Sequence, residues 1–261
     1  MSTPIPDPAY LKWPANTSPS YITARRALLE KEYALLQQVE AVAAERRALD
    51  SGPVLPPYTF TEGCQDLNST LPPKETSLLD ILAQNEHAHT TLVVYHMMMG
   101  EEDKVACSSC SMFLDGLNGV AKHLAQRVVL LVVAKAPIAA IRAYARKHGW
   151  NDLRFLSSLD NTFNKDMGVE KPPWIQGGTV AQSPGLSVFR LEDGGAEGEK
   201  QLRFWYQTVP HFGQREGSEV IRGMDLLSPV WQLLDVTPEG RGEWDPSLGY
   251  VEKWDGVEFD D

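Results

Sequence analysis

Cys107-Ser108-Ser109-Cys110 is the segment of this chain best suited to carry chemistry. Two thiols three residues apart can exchange electrons with a disulfide or share a soft metal ion. A loop separates them from the apolar, β-branched run Thr91–His96. From Cys107 the pattern through Phe113, Leu117, Val120 and Leu124 is helical. A cysteine at a helix start meets free N–H groups and a partial positive charge, which favour a thiolate over a thiol. Cys107 is therefore expected to attack, and Cys110, in the same turn, to resolve the mixed disulfide. The only other cysteine is Cys64, so a site of four cysteines is excluded, and Cys64 reads as a bystander thiol.

Other residues compete for a place beside this pair. His96 ends the Thr91–His96 run and is expected to project toward the same edge as the cysteines, as a substrate-binding residue. With Met97-Met98-Met99 directly after it, His96 together with Cys107 and Cys110 would also suit Cu(I), and a copper-binding enzyme is the alternative reading. The same methionines also read as ordinary loop packing. His123 lies 13 residues past Cys110 on the same helix, about 20 Å away, and reads as a capping or packing residue. Asp115 reads as a surface group or a proton relay, His87 and His89 as solvent-facing, and His211 as a candidate substrate contact. No glycine-rich phosphate loop occurs, and the dithiol reading requires no cofactor.

The elements that must position these residues follow from periodicity. Ser18-Pro19 opens a long helix in which Leu28, Leu35, Val42 and Leu49 recur every seven residues, until Gly52-Pro53 stops it. This helix is either an arm or a homodimer contact. Strand candidates follow at Tyr58–Phe60, Thr91–His96, Val128–Ala134 and Leu153–Leu156. Helices are expected at Ser77–Leu82, from Cys107, from Pro137 to Gly149, and at Met224–Leu234. Residues 160–184 form a long irregular stretch, and Leu186–Leu191 with Leu202–Tyr206 read as an antiparallel hairpin. Alternating strands and helices imply a parallel sheet with right-handed crossovers, to which the hairpin adds antiparallel strands. The expected fold is α/β and thioredoxin-like: a central mixed sheet flanked by helices, with an N-terminal helical arm and a C-terminal extension. In a thioredoxin-like fold a cis-proline ahead of the first hairpin strand faces the dithiol and receives the substrate backbone, so Pro184, just ahead of Leu186, is expected to bind substrate, with its cis or trans state left open by the sequence. The expected division is 1–57 for the Pro-rich start and long helix, 58–240 for the thioredoxin-like domain, and 241–261 for an acidic tail carrying Trp244, Tyr250, Trp254 and Phe259.

Composition narrows the class. Hydrophobic residues make up 43% and charged residues 23% of 261, which predicts a packed core. A net charge of −11 excludes non-specific binding to nucleic acid or anionic membranes, which needs clustered Lys and Arg. The N-terminus has no apolar signal core, and the run Val128–Ala134 is too short to span a bilayer. With three cysteines and no framework of disulfides, a reducing, cytoplasmic setting is expected.

Several runs together carry a resemblance. Val94-Tyr95-His96-Met97-Met98-Met99-Gly100, the Cys107–Cys110 motif, Asp115-Gly116, His123-Leu124, Ala134-Lys135-Ala136-Pro137, Gly149-Trp150, Gly185-Leu186-Ser187-Val188-Phe189 and Asp235-Val236-Thr237-Pro238 stand in one order. That order resembles an uncharacterised thioredoxin-like family described as predicted dithiol-disulfide oxidoreductases, over roughly residues 20 to 245. Members commonly carry Pro between the cysteines, where this chain has Ser108-Ser109. The resemblance implies an oxidoreductase acting through Cys107 and Cys110 on a small molecule, a peroxide or a disulfide. A non-enzymatic interaction module, using the N-terminal helix and the Trp-containing tail, is the remaining alternative.

Overall fold

The computed structural model describes residues 12–171, 182–194, 199–211, 213–215, 218–220 and 222–248. The Pro172-Pro173-Trp174 and Gly177-Gly178 stretch, the tip of the hairpin turn, and Tyr250, Trp254 and Phe259 lie outside the described residues. The chain divides into two compact units, Met1–Asp50 and Ser51–Asp261. In the first, helix α1 (Pro19–Arg47) begins where the periodicity places it. The Ser18 hydroxyl accepts the Tyr21 N–H at 3.2 Å, Pro19 occupies the first turn, and Trp13 packs edge-on against Tyr21.

In the second unit the chain order is β1 (Phe60–Glu62), β2 (Lys74–Thr76), α2 (Leu78–Ala83), β3 (Thr91–His96), α3 (Ser108–Leu124), β4 (Val129–Ala134), α4 (Ile138–His148), β5 (Phe155–Ser157) and α5 (Phe163–Asp166). It continues with β6 (Gly185–Asp193), β7 (Lys200–Thr208), the small hairpin β8 (Gly213–Arg215) and β9 (Ser218–Val220), a 3-10 turn at Asp225–Leu227, and α6 (Pro229–Leu234). The main sheet runs β2-β1-β5-β4-β3-β6-β7. β3, β4 and β5 are parallel, and β6 pairs antiparallel with β3 from Thr91↔Arg190 to His96↔Gly185. The fold is α/β, a central mixed sheet flanked by helices in a thioredoxin-like order. Helix α4 ends on Gly149 in the left-handed conformation (φ 71°), which a residue without Cβ adopts freely.

Period-two alternation divides the core between the two faces of the sheet. On one face Tyr95, Val132 and Ala134 join Cys110 and Leu114 of α3 and Ile141 and Tyr144 of α4. On the other, Leu92, Val94, Leu131 and Val133 join Phe60, Phe163, Phe189 and Leu78, Ile81 and Leu82 of α2.

The structure also departs from the sequence reading. The Pro-rich linker belongs to the second unit, because Gly52 and Leu55 donate backbone hydrogen bonds to Phe204 and Leu202 of β7. Leu248 is buried, so the start of the expected tail also packs. β2 falls between the Tyr58–Phe60 strand candidate and the Ser77–Leu82 helix, where no strand is expected; its solvent-facing Lys74 and Glu75 mask the signal of an edge strand. Met224–Leu234 is not one helix: Pro229 lacks an N–H to continue the turn, so α6 starts there.

Candidate active site

Met98 holds both cysteines by its backbone. Its N–H donates to the Cys110 sulfur at 3.4 Å, and its carbonyl accepts the Cys107 N–H at 3.2 Å. Met97 and Met99, on either side, are buried in the core, which fixes the loop between β3 and α3. Cys107 is the N-cap residue of α3 and is partly exposed, whereas Cys110 is 1% exposed. Both sulfurs are free thiols.

This asymmetry separates their acidities. The Cys110 thiol, donating to the Cys107 sulfur, is the largest of the influences that pull Cys107 down to about 6, against an ordinary 9.0. The N–H groups of Cys110 and Ser109 and the Ser109 hydroxyl add to it, while partial burial opposes. No strict capping hydrogen bond forms on the Cys107 side chain. The N–H groups nonetheless direct their positive ends at the sulfur, as a helix start does. Burial pushes Cys110 well above the usual thiol range, and the neighbouring Cys107 thiolate pushes it further. The arrangement keeps one sulfur charged and accessible and its partner protonated behind it.

Tyr95 completes the inner wall. It is 1% exposed, lies against Cys110 and stacks on Phe113, with ring centroids 6.1 Å apart. Its hydroxyl reaches the Cys110 sulfur without a geometrically complete hydrogen bond. Burial first, and the two sulfurs after it, hold its pKa well above that of an ordinary phenol. Below the dithiol, the Ser111 hydroxyl bridges the Cys107 carbonyl and the Tyr144 hydroxyl, at 3.1 and 2.8 Å.

In front of the sulfurs lies a cavity of about 290 Å³. Cys107, Ser109, Cys110 and Phe113 of the α3 turn, with Tyr95 and Met98, form one side. Ser183 and Pro184 ahead of β6, Pro210 and His211 after β7, and Met224, Asp225 and Trp231 supply the rest. The segment from Gly223 is held down at its start. The Gly223 N–H donates to Pro210, its carbonyl accepts the Thr208 hydroxyl, and an added Cβ would meet the Val209 carbonyl oxygen at 2.0 Å. Asp225 then binds Arg222 and Arg241, both of which also bind Asp235, and the Arg241 guanidinium lies over the Trp231 ring.

Of the residues singled out in the sequence, Cys107, Cys110, Pro184 and His211 line this cavity. Among the described residues no peptide bond is cis, so Pro184 follows a trans bond. His96 does not join them. Side chains alternate along β3, so Tyr95 faces the dithiol and His96 the opposite side of the sheet. There His96 stacks on Phe163 and shares a hydrogen bond of 2.8 Å with the Ser187 hydroxyl, and burial drives its pKa down to about 3. The expected set of Cys107, Cys110 and His96 therefore does not assemble as copper ligands. Among the described residues no three His, Cys, Asp or Glu side chains converge on a metal position. Met97 and Met99 are core residues, His123 is exposed near the end of α3, and Asp115 accepts the Trp150 indole N–H at 2.7 Å. Tyr95, Phe113, Met224, Asp225 and Trp231 escaped the sequence reading. The alternation of β3 is a usable signal for Tyr95, and the helical spacing of Phe113, one turn after Cys110, for Phe113; no local pattern marks Met224, Asp225 or Trp231.

Among the described residues no helix is long and apolar enough to cross a membrane. Similar solved structures include reduced Prx3 of Vibrio vulnificus in complex with hydrogen peroxide, at 14% identity over 69% of this chain and 99% of that one, TM-score 0.43. They also include peroxiredoxin Q of Xanthomonas campestris, at 13% identity over 69% of this chain and 95% of that one, TM-score 0.42. No curated protein matches the sequence. The model of one family, described as “Bacterial protein of unknown function (DUF899)”, matches residues 12–256, and the chain belongs to that family.

Proposed function

We propose that the protein is a dithiol-disulfide oxidoreductase in which Cys107 is the nucleophile and Cys110 the resolving thiol. The observation that carries this reading is their asymmetry: Cys107 caps the first turn of α3 at a cavity mouth, and Cys110 sits buried directly behind it.

The chemistry balances within the pair. The Cys107 thiolate attacks one sulfur of a substrate disulfide, that S–S bond breaks, and the departing thiolate takes a proton from solvent. The mixed disulfide on Cys107 no longer carries the charge that held the Cys110 proton in place. Cys110 loses that proton and its sulfur attacks Cys107. The second substrate thiolate leaves and takes up a proton equivalent to the one released. The substrate gains two electrons as two thiols, and Cys107–Cys110 becomes a disulfide, which an external thiol reductant returns to the dithiol. The N–H groups of Ser109 and Cys110 hold charge on Cys107, Tyr95 bounds Cys110, and Pro184 shares the wall against which the substrate sulfur is presented.

A disulfide suits the cavity better than a peroxide. A thiolate leaves a sulfur unaided more readily than an alkoxide leaves an oxygen, because its conjugate acid is far stronger. Among the described residues the cavity wall has no Lys or Arg to neutralise an oxyanion, and Arg222 and Arg241 are committed to Asp225 and Asp235. The test is trapping. Cys110→Ser should accumulate a mixed disulfide on Cys107 visible by intact mass, while the unmodified protein passes to an internal disulfide and Cys107→Ser forms neither. Equal adduct formation in all three proteins would refute the assignment.

A further inference from the structure

Building on the dithiol reading, we infer that the substrate is a small, uncharged disulfide bearing an apolar or aromatic group, held against Phe113 and Trp231. Three observations converge on that class. The first is size. At about 290 Å³ the cavity stands at the lower end of the range of small-molecule sites, room for one substituent of a disulfide beside Cys107 rather than for a folded surface.

The second is charge. An anionic substrate such as glutathione disulfide needs a cation or a set of unspent donors at its carboxylates. Among the described residues the only carboxylate on the wall is Asp225, and Arg222 and Arg241 neutralise it in a group of two arginines and two aspartates with Asp235. That group leaves no net positive charge for a substrate carboxylate. Met98, Phe113, Met224 and Trp231 instead offer polarizable faces to an uncharged ring or alkyl group.

The third is the backbone at the rim. A peptide substrate would bind as an added strand, which requires unpaired main-chain groups beside the sulfurs. The Ser183 N–H is spent on the Val169 carbonyl at 2.7 Å, and Glu170 and Gln182 form a bridge. β6, which starts at Gly185, is paired on both sides, with β3 and with β7. A protein disulfide would reach Cys107 without that support.

The test compares probes on the reduced full-length protein at one pH. The neutral 2,2′-dipyridyl disulfide, the dianionic 5,5′-dithiobis(2-nitrobenzoate), glutathione disulfide, insulin and cumene hydroperoxide are each used to oxidise it. Every rate is divided by that of N-acetylcysteine with the same probe, which removes intrinsic reactivity, and mass spectrometry follows the Cys107–Cys110 disulfide. The neutral aromatic disulfide should exceed the two anionic disulfides, insulin and the hydroperoxide by at least roughly tenfold, a discrimination of the size that aromatic contacts supply. Trp231→Ala should remove about that factor for the neutral probe and much less for the anionic ones. A normalised rate for glutathione disulfide, insulin or the hydroperoxide equal to or above the neutral one overturns the substrate class and leaves the dithiol reading standing. Failure of every probe to produce the Cys107–Cys110 disulfide overturns both. The comparison on the unmodified protein decides the matter even if Trp231→Ala does not fold.

Discussion

The acidity of Cys107 is open to a quantitative trial by alkylation with iodoacetamide as a function of pH, with the Cys107 peptide followed by mass spectrometry. With a pKa of about 6, roughly nine-tenths of Cys107 is thiolate at pH 7, against about one hundredth for a thiol at 9.0. Nucleophilicity falls with basicity at a Brønsted slope of about 0.4–0.5, which costs Cys107 about a factor of 20. The net advantage over the same cysteine in urea-unfolded protein is then about fourfold at pH 7 and about twentyfold at pH 6. The advantage grows as pH falls, because the unfolded thiol loses its thiolate while the folded one retains half. Cys110→Ala removes the largest of the influences that lower Cys107, the thiol hydrogen bond. The midpoint in that variant should move upward, while the helix-start N–H groups keep it below that of the unfolded chain. A midpoint above about 8 in the unmodified protein, or one that Cys110→Ala leaves in place, would refute the account of how this thiolate is held.

Further outcomes follow from the rest of the structure. His96 is neutral in the fold down to about pH 3 but protonates in the unfolded chain near 6.5, so the unfolded state binds the extra proton and stability falls as pH drops through that window. Urea midpoints between pH 7 and 4 should show a loss on the order of a few kcal/mol. His96→Phe should flatten part of that slope without moving the Cys107 midpoint; coupled movement of the two would place His96 back at the dithiol. Trp150 is 1% exposed, stacks on His148 at 4.4 Å and donates to Asp115. Trp150→Ala should cost about 3–5 kcal/mol of unfolding free energy, and a loss below about 1 kcal/mol would show the site to be loosely packed. Gly223→Ala meets the Val209 carbonyl backbone. It should displace the Asp225–Trp231 wall and slow oxidation by the neutral disulfide more than it slows iodoacetamide.

Legibility in the sequence followed the range of the forces involved. The N-cap of α1 at Ser18, the stop of α4 at Gly149 and the burial of β3 and β4 are decided within a turn or a strand, and their residues announce them. β1 and β2 were harder. Each has only three residues: β2 is an edge strand whose Lys74 and Glu75 face solvent, and β1, between β2 and β5, ends on Glu62 paired with Arg154, so apolar alternation is too short to mark their bounds.

The dithiol shows the same boundary. The proposed activation of Cys107 draws partly on a local matter, since a residue at a helix start meets unpaired N–H groups wherever the helix is packed. Which neighbour stands behind it is not local. Alternation says only that Tyr95 and His96 face opposite sides of the sheet, and the packing of α3 on the Tyr95 face decides which one meets the sulfurs. The outer wall is more remote still. Met224, Asp225 and Trp231 lie more than a hundred residues beyond Cys110, and they reach it through the Gly223 turn and the arginine–aspartate group. The sequence by itself thus placed Cys107 at a helix start, where its sulfur meets unpaired N–H groups, with Cys110 one turn on. Only the tertiary structure decided what that sulfur faces, because long-range packing brings distant segments to it.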